Sequence, residues 1–435
     1  MIILEFKAYG KPIQYQAIYE AIRTVKFIRN SCLRYWIDNK GVDKFDLNKY
    51  SAVLAKKFPF ANELNSTARQ SSAERAWSSI IRFFDNCKRK LPGKKGFPKF
   101  QKHCRFGKAD ATRTVEYKQS GWKISPDKKS ITFSDKKGIG KLKLKGTWDL
   151  WRFDKKQIKR VRIVKRADGY YVQFCVSVDV VEELKPSKST IGLDVGLKEF
   201  YTDSDGNSEP NPRFYRTGEK RLKFYQRRVS RKKKGKAVGH ASRTSNRKKA
   251  INRLGRQHLR ISRQREEHAK RLARCVIWSN DLVAYEDLRV KNLVKNHCLA
   301  KSINDAGWYQ FRKWLEHFGT KFGRVTVAVN PAYTSQNCSE CGEVVKKSLS
   351  TRTHVCKCGC KLDSPKATLR ERDHNAAINI LKRALGTVGH TGTWVLDPNA
   401  SGDLTSTVLG SGQEQPRRVI DRSRSVANGQ ESPRL

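Results

Sequence analysis

The hydrophobic period of this 435-residue chain changes twice, and those changes set what it can fold into. Residues 1 to about 10 are strand-like. In 14–90, apolar residues recur at three- and four-residue spacing, as in AIYEAIRTVKFIRN and AERAWSSIIRFFDN, which predicts helices. The turn-rich LPGKKGFPKFQKH (91–103) ends that block. From 105 to 185 the period drops to two: GWKISPDKKSITF, IGKLKLKG and KRVRIVKRADGYYVQFCVSV alternate apolar with polar residues between Asp, Gly and Lys turns. This predicts a barrel-like antiparallel β unit with a helical insertion after its first strand. From about 187 strands and helices mix: STIGLDVGLKEFYT, a long basic helix or helix pair over 216–275, the strand DLVAYEDL, a helix around WYQFRKWLEHFGTKFG, the strand RVTVAVN, and a closing helix DHNAAINILKRAL. The fold class is multidomain, α/β plus β-barrel. Beyond about 387 the chain is rich in Gly, Ser, Thr, Asn and Gln with few aromatics, and is expected to be a disordered tail.

Charge selects the partner class. Lys plus Arg number 91 against 41 Asp plus Glu, a net +50. Such a surplus repels itself, and a polyanion relieves the repulsion while releasing condensed counterions. Segments such as KRLKFYQRRVSRKKKGK and KKGFPKF interleave aromatics with cations, which suits phosphate contacts plus base stacking. No window approaches the roughly 18 apolar residues of a membrane span. MIILEFKAYGKP lacks the small-residue cleavage site of a signal peptide, so a cytoplasmic address and no membrane partner are expected.

Three acids stand out. Strand alternation puts Ile191, Leu193, Val195 and Leu197 on one face of the 190s strand and Gly192, Asp194 and Gly196 on the other, leaving the Asp194 carboxylate flanked by positions without side chains. Such an acid is open to a metal ion and a phosphate backbone; alone it reads equally as a surface Asp beside turn glycines. Glu286 ends an apolar strand, where α/β sheets place ligands, and shares the register of Leu282 and Ala284; its neighbour Asp287 points to the other face and competes for the role. Asp373 opens the last helix, with Ala376, Ala377, Ile380 and Leu381 at +3, +4, +7 and +8, so it shares the buried face; plain helix capping by Asp373 or Asn375 is the alternative. Jointly the three suit divalent ions, Mg2+ or Mn2+, roughly 4 Å apart, which activate water and stabilise the leaving oxygen of a phosphodiester. An acid on a first strand, one at a later strand's end and one on a closing helix is the order of an RNase H-like fold.

Six cysteines, 32, 87, 104, 175, 275 and 298, are scattered singly and read as reduced thiols. The other five crowd between 338 and 360. Cys338 and Cys341 form a C-x-x-C knuckle followed by Gly342. In the second knuckle Cys356, Cys358 and Cys360 compete for two places. Cys356 and Cys358 are preferred because Gly359 then follows the last ligand as Gly342 follows Cys341, with Cys360 the alternate. Four thiolates suit a structural Zn2+.

IGLDVGLKEF, VAYEDLRVKNL, NPAYTSQNCSECG and RDHNAAINIL, in that order, resemble TnpB, the transposon-encoded RNA-guided DNA nuclease family related to type V CRISPR effectors. The GFPKF turn and the RIVKRADGYYVQFCV strands resemble its N-terminal half, so the likeness covers roughly 1–385. The resemblance implies a wedge domain of OB-like β-barrel type from 1–10 with 105–185 and a helical recognition domain from 11–104. It further implies a RuvC nuclease domain (RNase H-like) from 187–330 with 362–385, a zinc-binding insertion over 331–361 and a tail over 386–435. It maps the catalytic, Mg2+-binding acids onto Asp194, Glu286 and Asp373. It also implies a guide RNA from the transposon end, a double-stranded DNA target beside a short motif read by the protein, and pairing with the guide for the remaining specificity. A monomer is the expected state. The chain departs from the pattern where CGCKLD is followed by SPKATLRE before RDHNAA, an insertion at 364–372 that makes Asp363 a rival to Asp373. The leading function is Mg-dependent, RNA-guided cleavage of DNA; the alternatives are a guided DNA-binding protein impaired in cutting, or a DNA-joining transposase.

Overall fold

In the N-terminal half, β1 (Ile2–Tyr9) runs directly into α1 (Pro12–Asp38), where Pro12 supplies a helix-ready φ at a position whose N–H has no intrahelical partner. The computed structural model describes residues 2–90, 93, 95–101, 114–177, 182, 184–232, 245–346, 351–358 and 370–388. Helix α1 buries Ile18, Ala21, Ile22, Val25, Ile28 and Cys32, the spacing of one helical face. Helix α2 (Lys44–Lys57) starts where the Asp43 side chain accepts the Asp46 N–H at 2.8 Å; α3 (Pro59–Asn62) follows, and α4 (Ser66–Lys88) is capped by Asn65, which accepts the Thr67 N–H at 2.8 Å.

The strands after the helices are β2 (Thr114–Lys118), β3 (Trp122–Ile124), β4 (Ser130–Phe133), β5 (Gly140–Lys145), β6 (Ile158–Arg166) and β7 (Gly169–Val176). They pair antiparallel in the order β2-β6-β7-β1-β5-β4-β3, so β1 sits inside the sheet, between β7 and β5. The barrel-like unit expected from the alternating pattern takes the form of an open half-barrel. A three-residue 3-10 turn, Gln119–Gly121, joins edge strand β2 to the opposite edge strand β3, and β3 is only three residues long; no ladder joins the two among the described residues. The curl is strong enough to bring Trp122 of β3 within 6.4 Å, ring to ring, of Phe174 on β7. Sheet and helices bury one continuous core, including Ile28, Leu33, Tyr117 and Phe174.

Edge strand β2 is fastened by Glu116, only 3% exposed, which takes Arg75 of α4 at 3.1 Å and Arg160 and Arg162 of β6 at 2.8 and 2.5 Å. Burial alone would raise this carboxyl, but the three guanidiniums outweigh it and hold it at about 2.

The C-terminal half is a mixed sheet. Strands β8 (Thr190–Val195), β9 (Glu199–Asp203) and β10 (Ser208–Pro210) precede the basic helix pair α5 (Phe214–Arg231) and α6 (Ser245–Ser279). Then come β11 (Leu282–Glu286), the short α7 (Val290–Leu293), α8 (His297–Ala306), α9 (Trp308–Phe322), β12 (Val325–Val329), the two-residue pair β13 (Thr353–His354) and β14 (Arg370–Glu371), and α10 (Arg372–Val388). The sheet order is β10-β9-β8-β11-β12, with β8, β11 and β12 parallel and β9 antiparallel to β8. Helices α6 and α9 cover the face carrying Ile191, Leu193, Val283 and Tyr285; α10 covers the face carrying Leu282 and Ala284. Because α10 continues through Val388, the tail expected from 386 starts no earlier than 389, and its remainder lies outside the described residues.

Gly192 is where α10 meets β8. A methyl group there would overlap the Ala377 carbonyl oxygen and press on Leu381 Cβ and N at 2.9 Å. Gly196 is likewise closed by the Glu199 carbonyl, 2.9 Å from where a Cβ would stand. The glycines beside Asp194 therefore serve close backbone approach, not the open phosphate path the sequence suggested.

Two outcomes follow for stability. Glu116 stabilises the fold fully above its unfolded value of 4.5, and that contribution, roughly 3 kcal/mol, is lost as pH falls from there to about 2. Urea titrations from pH 7 to pH 3 should show this loss in wild type and not in Glu116→Gln. Gly192→Ala should cost about 1–3 kcal/mol by overpacking, read as a lower urea midpoint; an unchanged midpoint would mean α10 does not pack on β8 this closely.

Candidate active site and cysteine cluster

The three acids meet on one face of the five-stranded sheet. Asp194 lies near the end of β8 on the α10 side, opposite Thr202 of β9. In the β8–β11 ladder Ala284 pairs with Gly192 and Tyr285 with Leu193, so Glu286 comes level with Asp194 and faces the same way. Asp373, in the first turn of α10, reaches that edge because Ala376, Ala377 and Ile380 bury its helix face against the sheet. Asp287, the rival of Glu286, is turned outward into an ion pair with Arg312 of α9. Asp363 lies outside the described residues.

Electrostatics tie the acids together. Burial, then the charges on Glu286 and Asp373, push the Asp194 carboxyl well above the usual carboxylate range, against the pull of Arg372 and Arg352. Burial likewise raises Glu286, although the Thr334 hydroxyl donates to its Oε1 at 2.6 Å and Arg383 opposes the rise. Asp373 is held by cations: Arg352 Nη1 donates to Oδ2 at 3.1 Å and Arg372 Nη2 to Oδ1 at 2.9 Å. The acids' oxygens do not converge within 4.8 Å of one another, as the cysteine sulfurs do. Asp194 and Glu286, raised first by burial, are carboxyls whose charged form a divalent cation would favour, and oxygen donors are the ligands Mg2+ takes. The donor set fits that ion.

Cys338, Cys341, Cys356 and Cys358 place all four sulfurs within 4.8 Å of one another. Cys338 and Cys358 are 3.7 Å apart, Cys341 and Cys356 3.5 Å. A tetrahedron of thiolates at a metal–sulfur distance of ~2.3 Å has edges of ~3.8 Å, so the cluster can hold one metal ion. The preferred second knuckle, Cys356 and Cys358, is brought together with the first; the alternate Cys360 lies outside the described residues. Gly342 follows the first knuckle at φ +77°, a left-handed turn that lets its N–H reach the Cys338 carbonyl at 2.9 Å.

Sequence reasoning missed the residues that join cluster to acids. Asn375 donates to the Asn337 carbonyl at 2.8 Å and accepts the Ser339 N–H at 3.0 Å. Asn379, one turn later, donates to the carbonyls of Thr334 and Asn337 at 2.9 and 2.8 Å. Both asparagines are buried, and Thr334 in turn holds Glu286. Their i, i+4 spacing on a helix face beside the apolar one was the available signal. The neighbouring His374 ring meets the Ser204 carbonyl at 3.0 Å. Arg352 and Arg372 carried no signal, since two arginines among so many cations do not stand out.

Two family models match the chain in this half. One, OrfB_IS605, described as "Probable transposase", matches 173–297, the stretch bearing Asp194 and Glu286; the other, the Cas12f1-like TNB domain, matches 308–380, with the cysteines and Asp373. Relatives extend the likeness. A Streptomyces pristinaespiralis protein named "Putative RNA-guided DNA endonuclease" is 35% identical over 51% of this chain and 51% of its own. The Escherichia coli (strain K12) protein InsQ, bearing the same description, is 29% identical over 52% of this chain and 56% of its own. An Acanthamoeba polyphaga mimivirus protein, "TnpB-like protein L79", is 27% identical over 49% and 41%. The chain spans about half the length of the curated relatives it matches. A Cas12f1 structure in complex with sgRNA and target DNA aligns over 84% of this chain and 82% of that one, with 16% identity and a TM-score of 0.48. The resemblance to TnpB is thus carried by models and relatives as well as by the four motifs. No helix among the described residues is long and apolar enough to cross a membrane.

The cluster assignment is checked by metal analysis of the purified full-length chain. One metal ion per chain should be retained in Cys360→Ser and in Cys298→Ser, and lost in Cys358→Ser. Retention in Cys358→Ser with loss in Cys360→Ser would reverse the choice of fourth ligand.

Proposed function

We propose that this chain is an RNA-guided, metal-dependent DNA endonuclease of a transposable element, cutting at a single RuvC-type site. The observation that carries the reading is the placement of Asp194, Glu286 and Asp373 on one face, at one end, of a five-stranded sheet ordered β10-β9-β8-β11-β12, near enough for their charges to act on Asp194. That order, three antiparallel strands continued by two parallel ones, with a closing helix across the sheet, is the RNase H-like arrangement. Its acids hold Mg2+ or Mn2+. When bound, such ions activate water and stabilise the leaving oxygen. The protein's own part is placement: β8 and β11 fix two carboxylates level with each other, α10 brings the third, and Thr334 orients Glu286. Arg352 and Arg372 must turn from Asp373 for its oxygens to take a cation.

The cysteine cluster holds a structural Zn2+. Its role is to stiffen 334–358 so that the Asn375 and Asn379 contacts align α10 with the strand ends. Residues 1–10 with 105–185 act as the wedge and 11–104 as the recognition domain, together reading a short duplex motif beside the target. Residues 187–330 with 362–385 form the nuclease domain and 331–361 its zinc-binding insertion. The basic helices α5 and α6 and the net charge of +50 supply backbone contacts to a guide RNA and to target DNA. The names of the relatives, RNA-guided DNA endonucleases, agree with this reading.

The test is to purify the chain with its bound RNA, sequence that RNA, and offer matching duplex DNA with Mg2+. Wild type should cut, and Asp194→Ala should lose at least about a thousandfold in rate while keeping its RNA. Equal cutting by both removes the acids from the chemistry; absence of bound RNA removes the guide; joined rather than cut products assign a transposase.

A further inference from the structure

Beside the acids lies a cavity of about 280 Å³ to which the reading above gives no role. Its lining includes four cations, Lys198, Arg213, Arg216 and Arg352, and one acid, Asp305. That acid is already committed: its two oxygens accept the Tyr215 and Arg216 N–H groups at 2.7 and 3.2 Å, closing the N-terminus of α5, and the residue is only 5% exposed. Lys198, Arg213 and Arg216 are exposed, and among the described residues none makes an ion pair. Arg216 instead donates to the Ser302 hydroxyl at 2.7 Å, which fixes its guanidinium at the cavity wall.

Arg213 is held there by a strained backbone. Its φ of +48° and ψ of 48° are left-handed, unusual for a residue with a side chain, and Asn211 braces the turn by accepting the Arg213 N–H at 3.2 Å and donating to the Leu197 carbonyl at 3.1 Å. Arg352 lines the same cavity and reaches Asp373 at 3.1 Å, so the cavity is one side chain from the third acid.

We propose that this cavity is an anchoring site for a non-scissile phosphate of the DNA strand entering the acid cluster, with Arg213 and Arg216 as positioning residues and Lys198 supporting them. The inference rests on the nuclease reading for the identity of the strand, but the site itself is a matter of binding. A phosphodiester carries the one charge that an uncompensated, forked set of guanidiniums satisfies by paired hydrogen bonds, and the volume admits a phosphate with part of its sugar. Anchoring one phosphate sets the register of the strand, so that its neighbour lies over Asp194, Glu286 and Asp373.

The test uses the full chain with its RNA in an Asp194→Ala background, so that binding is read without cleavage. Affinity for a short fluorescent single-stranded DNA is measured by anisotropy across a salt series, against Arg213→Gly with Arg216→Ala. Glycine suits the left-handed φ at 213, so that change should not lower the melting temperature. The double variant should bind roughly tenfold more weakly, with the slope of log affinity against log salt falling by about 0.7, one phosphate contact on a single strand. Arg216→Lys with Arg213 intact should keep most of the affinity. Unchanged affinity and slope in a folded double variant would overturn the proposal, as would loss of the bound RNA with DNA affinity intact, which would assign the cavity to the guide. A chain that shows this DNA dependence yet never cuts when Asp194 is present would sink the nuclease reading and leave the phosphate site standing.

Discussion

The C-terminal half turns on the contact between Gly192 and the backbone of α10. A helix normally rests on a sheet through side chains, about 10 Å away. Here the Ala377 carbonyl and the Leu381 backbone reach β8 itself, because Gly192 offers no Cβ and Ala376 and Ala377 are small. That closeness decides the site. With α10 so near, a carboxylate one turn before Ala377 falls at the end of the strands, where Asp194 and Glu286 stand, and not a side-chain length above them. Small residues on both partners are the condition for a close approach, and the approach is the condition for three acids on different elements to share one field.

The same helix solves a second problem on its other side. The loop carrying the first cysteine knuckle leaves carbonyls at Thr334 and Asn337 that have to be satisfied near a charged site, and Asn375 and Asn379 satisfy them from α10. Lys382 and Arg383 continue the contact to Ser339, Asn330 and Ala332. One face of α10 therefore reads the sheet and the next reads the cysteine loop. A metal ion at the cysteines would act on the acids through this helix and through Thr334, with no direct contact.

Much of this was legible in the sequence, for reasons that can be named. Period two in 190–195 separated the faces of β8, so Asp194 was assigned to the side opposite Leu193 before any partner was known; the ladder to β11 has that register and sets Glu286 level with Asp194, while Asp287 pairs with Arg312. The 3, 4, 7, 8 spacing after Asp373 gave the buried face of α10. The choice of Cys356 and Cys358 over other pairs rested on a glycine echo, and their sulfurs do meet those of the first knuckle. What escaped was long-range. Alternation cannot say whether a sheet closes, and here the two edge strands, joined by a three-residue turn at 119–121, form no ladder among the described residues. Nor can it say that Gly192 faces a helix, since the helix comes 180 residues later.

Charge explains how the two halves can differ so much in their use of ions. In the N-terminal half the cations are used as structure: Glu116 gathers three arginines from two elements, and burial there is affordable because the acid stays ionised at about 2 among them. In the C-terminal half the balance is inverted around the acids. Asp194 and Glu286 are raised by burial, and the nearby arginines only partly offset it. A protein that needed nothing but stability would pair those carboxylates as it pairs Glu116. With no arginine ion-paired to Asp194 among the described residues while Arg352 and Arg372 pair with Asp373, the cluster is a poor structural feature, as expected of a site shaped for something other than stability.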